Sequence, residues 1–377
     1  MNRWKIPAAA LLVICYGCRA APFGHKPESE VASAPALESG QPEIGEEYAH
    51  YCLGLIHEKR GMPKEALEEY VLARDMAPDR ALFDLKLGLV HLQEKMYPEA
   101  TGDLDAATRK DPGLFDAYFY LGLAYAKQGK IEKALEAYGK ALEIDPESEV
   151  AALGLAEILV SENRLEEAID VYSASVDANP ENSITCYNLG LLYIHDGKLE
   201  KAAESFSRAA GQKTDWFDPL YRLGQVYELM GSDDDAIAAY TDALKLNPLK
   251  LDIYRSLADI YRKLGRTDEA ISKYKLLIEI NPYEPNNYLA LAHVYITARE
   301  PEKAVEVLKQ CSVKADESPE VNFYLGIAYG LLDENEEAIS SYNKAMGKGI
   351  AEDILHFHLG AAYEKAGRFD EDRKSVV

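Results

Sequence analysis

The stretch from Phe115 to Ser148, FDAYFYLGLAYAKQGKIEKALEAYGKALEIDPES, is one unit of a pattern that recurs every 34 residues from Glu47 onward without an insertion or deletion. With Glu47 as position 1, position 7 is leucine in ten successive units, from Leu53 to Leu359. Position 8 is always glycine or alanine, and position 20 is alanine in all nine complete units. An internal repeat of this length indicates an array of small units that stack on one another.

Each unit carries the signals of two helices joined by a tight turn. Apolar residues at positions 7 and 11 lie one turn apart and predict a first helix, helix A, while alanine at 20 and an aromatic residue at 24 predict helix B. Glycine at position 15 in six units fits the left-handed end of helix A, and proline near position 32 ends helix B. Small residues at positions 8 and 20 let the two helices approach closely. The sequence therefore predicts an all-α chain.

These positions resemble the tetratricopeptide repeat, whose 34-residue unit is a helix–turn–helix. The resemblance covers residues 47–371 and implies a right-handed α-solenoid with a concave groove lined by helix A. Nine complete repeats begin at residues 47, 81, 115, 149, 183, 217, 251, 285 and 319, and a partial tenth begins at 353. Most of the 25 tyrosines fall at aromatic positions of the repeat, where they are expected to pack between helices.

The N-terminus has the form of a targeting segment. A short basic start precedes the apolar run IPAAALLVICYGC, which is too short to span a bilayer comfortably. The run resembles a bacterial lipoprotein signal, which implies that residues 1–18 form a signal peptide and that Cys18 becomes the acylated first residue. Cleavage after Ala20 or Ala21, which would give a secreted soluble protein, and an uncleaved anchor are the alternatives.

Residues 19–46 are rich in proline, serine, glutamate, alanine and glycine and show no helix or strand period, which predicts a disordered tether. A lipid on Cys18 would hold the array at a membrane of the cell envelope, facing the periplasm or the exterior. The chain has 64 acidic residues against 41 lysines and arginines, a net charge of −23. This excess disfavours nucleic acid as a partner, because phosphate backbones are bound by basic residues.

The array shows no pattern typical of catalysis, and we expect no enzymatic activity, cofactor, metal or small-molecule substrate. His356 and His358 are two residues apart and so face different sides of a helix, whereas a metal pair needs a spacing of three or four. His57 and His91 occupy position 11, where other repeats carry tyrosine, which indicates packing. Three cysteines lie too far apart along the array to form disulfides and are expected to be buried thiols; they are Cys52, Cys186 and Cys311.

The predicted binding site therefore lies on the exposed surface of helix A. In the tetratricopeptide family, positions 2, 5, 9, 12 and 13 of this helix face the concave side, and here repeats 1 to 6 carry apolar residues at many of them. The predicted partner-binding residues are Tyr48, Tyr51, Leu82, Leu85, Leu89, Phe119, Leu123, Leu153, Ile184, Tyr187, Leu191 and Tyr221, with Arg255, Asp259 and Arg262 as a charged station in repeat 7. Exposure is expected at positions 2 and 5, whereas burial between neighbouring helices is an equal alternative at positions 9 and 12.

This pattern predicts a groove for an apolar or amphipathic segment of a protein partner, with the charged station fixing its register. No lysine stands at position 5 in any repeat, which argues against the carboxylate clamp of some family members. We expect a non-catalytic scaffold that serves in the assembly of an envelope or secretion complex. The alternative is the N-terminal recognition arm of a larger, truncated enzyme, such as a transferase or peptidase.

The end of the sequence departs from the repeat. Position 20, alanine in every complete repeat, is Asp372, and a carboxylate at so tight a helix contact would be buried without a partner. We therefore expect the genuine array to continue beyond Glu371 in a longer protein and residues 372–377 to be a non-native tail.

Overall fold

The computed structural model describes residues 45–314, 318–346 and 350–368. The predicted signal peptide with Cys18, nearly all of the tether and the tail at 372–377 lie outside these residues. The described residues form nineteen helices and no strand. The helices are α1 Glu46–Lys59, α2 Pro63–Met76, α3 Ala81–Gln93, α4 Tyr97–Lys110, α5 Phe115–Lys127, α6 Ile131–Ile144, α7 Glu149–Ser161, α8 Leu165–Ala178, α9 Ser183–His195, α10 Leu199–Gln212, α11 Phe217–Met230, α12 Asp233–Leu246, α13 Leu251–Lys263, α14 Thr267–Ile280, α15 Pro285–Thr297, α16 Pro301–Lys314, α17 Pro319–Leu331, α18 Asn335–Ala345 and α19 Glu352–Lys365.

The helix boundaries follow the period of the sequence. From Ala81 to Pro319 every helix A begins at position 1 of its repeat, and from Pro63 to Asn335 every helix B begins at position 17. Helix α1 starts at Glu46, the last residue of the predicted tether. The prediction of an all-α solenoid with nine complete repeats and helix A of a tenth is confirmed.

The chain divides after Thr214 into two compact units. The first unit holds α1 to α10, which are repeats 1 to 5, and the second holds α11 to α19. Within each unit, helix A packs against helix B of its own repeat, and helix B packs against helix A of the next. Each unit is therefore a stack of helix hairpins.

The two helices of a repeat meet where an aromatic ring lies against a backbone without a side chain. A methyl group added at Gly54 would overlap the ring of Tyr70, and one added at Gly190 would overlap the ring of Phe206. The small residue at position 8 thus makes room chiefly for the ring at position 24, rather than for the alanine at position 20 as the sequence suggested. That alanine is fully buried in all nine complete repeats.

Every helix A ends with a left-handed residue at position 15. Six repeats place glycine there, with φ between 69° and 75°. The other four adopt the same conformation with residues that have a Cβ, at φ of 60° to 61°; these are Lys95, Asn163, Arg299 and Asp333. The turn between helix A and helix B is therefore imposed by the packing of the repeat, because four side chains accept a strained conformation to keep it.

Two glycines of α17 allow a matched test of the ring contact. Gly326 lies against the ring of Tyr342, whereas a Cβ at Gly330 would meet no atom within 4 Å. We expect Gly326→Val to destabilise the second unit by about 2 kcal/mol through overpacking and Gly330→Val to change stability by less than about 0.5 kcal/mol. Urea unfolding followed by circular dichroism measures both; equal shifts of the midpoint would contradict the contact.

Candidate functional site

The helix-A face of the first unit, made by positions 2, 5 and 9 of α1, α3, α5, α7 and α9, carries the predicted apolar residues. Leu82 and Ile184 at position 2 are each 36% exposed, and Phe119 and Tyr187 at position 5 are half-buried. The other half-buried residues of this face are Tyr48, Tyr51, Leu89, Leu123 and Leu153. The structure thus presents a stripe of large apolar side chains that are neither fully buried nor free in solvent.

The aromatic residues at position 5 are half-buried because each ring packs on the ring at position 24 of its own repeat. The ring centroids of Phe119 and Tyr138 lie 5.7 Å apart, and those of Tyr187 and Phe206 lie 5.5 Å apart. Phe119 also stacks on Phe115, one turn earlier in α5, at 6.0 Å. These contacts restrain the side chains of position 5 while part of each ring stays accessible, and side chains that are already restrained lose less entropy when a surface is covered.

Two of the predicted groove residues belong to the core. Leu85 is 6% exposed and lies in the cluster of Leu104 and Ala117, so the expected exposure at position 5 is wrong for this residue. Residue type alone does not decide this, because Leu153, a leucine at position 5 of repeat 4, is half-buried. Leu191 at position 9 is 7% exposed, and here the alternative of burial between neighbouring helices applies.

The remaining predicted residues lie in the second unit. Tyr221 is half-buried in α11, stacks on Phe217 at 5.5 Å and lies under the ammonium group of Lys250 at 5.1 Å. Its ring centroid is 6.3 Å from that of Tyr240, at position 24 of the same repeat. The structure therefore gives Tyr221 the same position-5 packing as the rings of the first unit, with a basic residue above it.

The predicted charged station lies on α13, and most of its charges are already paired. Asp259 accepts a hydrogen bond from the hydroxyl group of Tyr274 at 2.7 Å and another from Arg262 at 3.1 Å. Arg255 donates to the side-chain oxygen of Asn287 at 3.4 Å. Asp259 thus pairs with Tyr274 inside the repeat, while the exposed guanidinium groups of Arg255 and Arg262 remain on the surface of helix A.

The positive charge of α13 acts on the next repeat. Burial, together with nearby Arg262, lowers the pKa of His293 in α15. A histidine with a lowered pKa is neutral at physiological pH. The cationic character of this surface therefore comes from the arginines and not from His293.

Two recurrent polar contacts were not foreseen from the sequence. The hydroxyl group of Tyr240, at position 24, donates to Glu228 at 2.7 Å, and that of Tyr70 donates to Glu58. Burial and the adjacent carboxylate raise the pKa of both tyrosines. A glutamate at position 12 opposite a tyrosine at position 24 is the sequence signal for this pair.

A basic side chain also covers many of the tyrosines at position 11. The distances from the charged group to the ring centroid are 5.5 Å for Lys133 over Tyr125, 5.6 Å for Lys303 over Tyr295 and 5.5 Å for Lys309 over Tyr329. Further pairs are Lys201 with Tyr193, Arg266 with Tyr261 and Arg368 with Tyr363. In five of these six pairs the base stands at position 16 or 19 of the same repeat as the tyrosine, whereas Lys309 comes from position 25 of the preceding repeat.

These tyrosines lie in shallow grooves where helix B of one repeat runs beside helix B of the next. The groove at α14 and α16 has a volume of about 410 Å³, with Lys275 and Lys303 on either side of Tyr295. A groove of about 310 Å³ recurs at the same repeat positions around Tyr125. Because the grooves repeat with the array, we attribute them to the packing of the repeat.

The histidines and cysteines give no metal site within the described ranges. His91 Nδ1 lies 2.7 Å from a carboxylate oxygen of Asp103, in a half-buried pair. Cys186 and Cys311 are buried free thiols as expected, whereas Cys52 is exposed, so the expectation of burial is wrong for that residue. No cluster of three potential metal ligands occurs among the residues that the structure describes. The helices in that part of the chain are also too short or too polar to cross a membrane.

Models of the tetratricopeptide repeat match residues 51–115, 115–148, 153–219, 221–285 and 288–320. These matches span most of the chain and agree with the helix hairpins of the structure. The chain belongs to the tetratricopeptide repeat family. No curated protein sequence matches it.

Solved structures share the fold at low sequence identity. A chain in the structure of Naa15/Naa10 bound to HypK-THB aligns with a TM-score of 0.51 and 16% identity, covering 88% of this chain and 58% of that one. A tetratricopeptide repeat protein from Parabacteroides merdae gives a TM-score of 0.39 at 18% identity over 66% of this chain and 98% of that one. YrrB, described as a tetratricopeptide repeat protein with an unusual peptide-binding site, aligns with a TM-score of 0.41 and 18% identity, covering 50% of this chain and 96% of that one. This chain spans 58% of the Naa15/Naa10 chain, and the likeness concerns the fold alone.

Serine substitutions separate the core from the surface of the helix-A face. Leu85→Ser removes a buried side chain and should destabilise the first unit by about 3 kcal/mol. Leu82→Ser changes a side chain that is partly in solvent and should cost less than about 1 kcal/mol. Thermal unfolding of the two variants beside the unchanged chain measures the difference. Equal losses would show that Leu82 belongs to the core as well.

Proposed function

We propose that this protein is a scaffold that captures an apolar or amphipathic segment of a partner protein on the helix-A face of repeats 2 to 5. The tetratricopeptide fold supports a protein–protein interaction scaffold, and members of the family are generally non-catalytic. The observation that carries the proposal is the stripe of partly exposed Leu82, Phe119, Ile184 and Tyr187. Apolar patches of this kind on a soluble surface mark interaction sites.

The chemistry of the stripe defines the segment that it fits. Rings restrained by the position-24 residues offer flat apolar contacts, and position 2 adds aliphatic side chains at each end of the stripe. An amphipathic helix or an apolar extended strand supplies complementary side chains at helical or alternate spacing. The core residue Leu85 takes no part in this contact.

The second unit contributes a separate contact through Arg255 and Arg262. Both guanidinium groups are exposed on the surface of α13, and such rim charges govern the rate and register of association more than its strength. We propose that they select a partner with acidic residues. This contact is expected to weaken as the salt concentration rises.

We further propose that the scaffold is held at an envelope membrane through a lipid on Cys18 and serves in the assembly of an envelope or secretion complex. The support is the apolar segment that ends in Gly17 and Cys18 and the polar stretch that follows it. A lipid and a flexible tether would keep the array near the membrane while leaving the helix-A face free.

Peptide selection tests the groove. A phage-displayed library of random peptides is selected on the full chain and counter-selected on a Leu82→Asp, Ile184→Asp double variant. We expect the recovered peptides to carry large apolar residues and to bind the double variant at least tenfold more weakly, because charges replace the most exposed side chains of the stripe.

The control for this selection is Ile144→Asp. Ile144 is 37% exposed in α6, a helix B of the same unit, and its substitution should leave peptide affinity unchanged. Peptides that bind the double variant and the unchanged chain equally well would place the site elsewhere. Circular dichroism of each variant excludes unfolding as the cause of lost binding.

Intact mass spectrometry tests the anchor. The precursor is produced in a bacterial host, and we expect the mature protein to begin at a diacylated or triacylated Cys18 and to remain in the washed membrane fraction. Cys18→Ser should abolish both results. A soluble, unmodified chain that starts at Ala21 or Pro22 would reject lipidation and favour plain secretion, without affecting the proposal for the groove.

A further inference from the structure

Helix α1 exposes a stripe of residues that the other repeats bury. Position 10 is at most 7% exposed in the nine later repeats, whereas Ile56 at this position is 43% exposed. Leu53 at position 7 is also 43% exposed, although its counterparts are buried in eight of the nine later repeats. Ala49 at position 3 is exposed, while every later position 3 is buried. The first repeat therefore presents an unfilled helix-packing surface.

Within each unit, this surface of a later repeat packs against helix B of the preceding repeat. That helix is joined to helix A by a short loop, such as residues 77–80 between α2 and α3, so the two helices lie antiparallel. Leu72 at position 26 of α2 borders the same surface and is 43% exposed. Its counterparts Lys140 and Gln310 line the grooves beside the preceding repeat. The surface of α1 is thus shaped for one antiparallel helix.

The exposed stripe of α1 is complementary to itself in the antiparallel direction. Glu46, Ala49, Leu53, Ile56 and Lys59 follow one another at spacings of three or four residues and share one side of the helix. The midpoint of α1 lies between residues 52 and 53. When a second copy of α1 is related to the first by a two-fold rotation about that midpoint, Glu46 of one copy faces Lys59 of the other. Ala49 of one copy likewise faces Ile56 of the other. Opposite charges and a small residue facing a large one satisfy both electrostatics and packing.

We propose that α1 pairs antiparallel with α1 of a second copy of this chain across a two-fold axis. Each copy then supplies the helix that a preceding repeat supplies elsewhere in the array, and both exposed stripes become buried. A two-fold axis uses the same surface of both chains, which fits a stripe that is complementary to itself. The inference does not depend on the proposed peptide groove, which lies on another side of helix A.

Cys52 provides a direct probe because it lies beside the midpoint of α1 and is exposed. We expect mild oxidation of the full chain, carrying Cys15→Ser and Cys18→Ser, to give a disulfide-linked dimer that is lost on Cys52→Ser. Cys186 and Cys311 are buried, and burial raises the pKa of Cys311 to about 11, so these thiols remain protonated and unreactive. Sedimentation equilibrium of the same chain under reducing conditions should show a monomer–dimer equilibrium.

Charge exchange tests the direction of the pairing. Glu46→Lys or Lys59→Glu alone should weaken the dimer several-fold, and the two together should restore it, because the exchanged pair is again complementary across the axis. Leu53→Glu should abolish the dimer. Leu229→Glu, at a residue that is 48% exposed in the second unit, is the matched control and should leave it intact.

Three results would overturn the proposal. The first is a chain that stays monomeric at every concentration and forms no cross-link through Cys52. This result would overturn the proposal even if upstream residues of the same chain were its cause. The second is a dimer that survives Leu53→Glu. The third is a double charge exchange that fails to restore association. If Leu53→Glu unfolds the chain, the charge-exchange series alone decides.

Discussion

The array depends on the contact between the large side chain at position 24 of helix B and the backbone of helix A at position 8; this side chain is an aromatic ring in seven of the nine complete repeats and leucine in the other two. Where position 8 is glycine and position 24 is aromatic, as at Gly54 and Gly224, the ring lies in the space that a side chain would occupy. This brings the helices together, buries the alanine at position 20 and places the hydroxyl group of Tyr240 beside Glu228. The same contact supports the ring at position 5, so the core of each repeat also shapes its outer surface.

A helix hairpin built this way buries only part of its apolar surface by itself, and the neighbouring hairpins bury most of the rest. Helix α1 shows the consequence, because Ile56 at position 10 is exposed, whereas position 10 is buried in every later repeat. The helix-A face differs, since no neighbouring repeat covers it fully, and Leu82 and Ile184 stay accessible in the first unit. The proposed partner site therefore lies on a surface that the stacking of repeats leaves open, and its side chains are restrained by the helices beneath them.

The helices and the repeat boundaries could be predicted from the sequence because one period fixes their start and end, as at Ala81 and Pro319. The left-handed turn was predictable only where glycine marks it, since propensity gives no reason to expect that conformation at Lys95. Exposure at position 5 was harder to predict. It depends on how the neighbouring side chains pack and not on residue type alone, since Leu153 is half-buried and Leu85 lies in the core. Cys52 is exposed because no helix precedes α1 among the described residues, which no local sequence pattern records.

Photo-cross-linking locates the proposed partner site directly. A benzoylphenylalanine replaces either Leu82 on the helix-A face or Ile144 on helix B, which are exposed to nearly the same extent. Each chain is irradiated with a peptide selected on the unchanged protein, and the adducts are measured by mass spectrometry. We expect an adduct at Leu82 and none at Ile144. An adduct at Ile144 alone would contradict the proposed site.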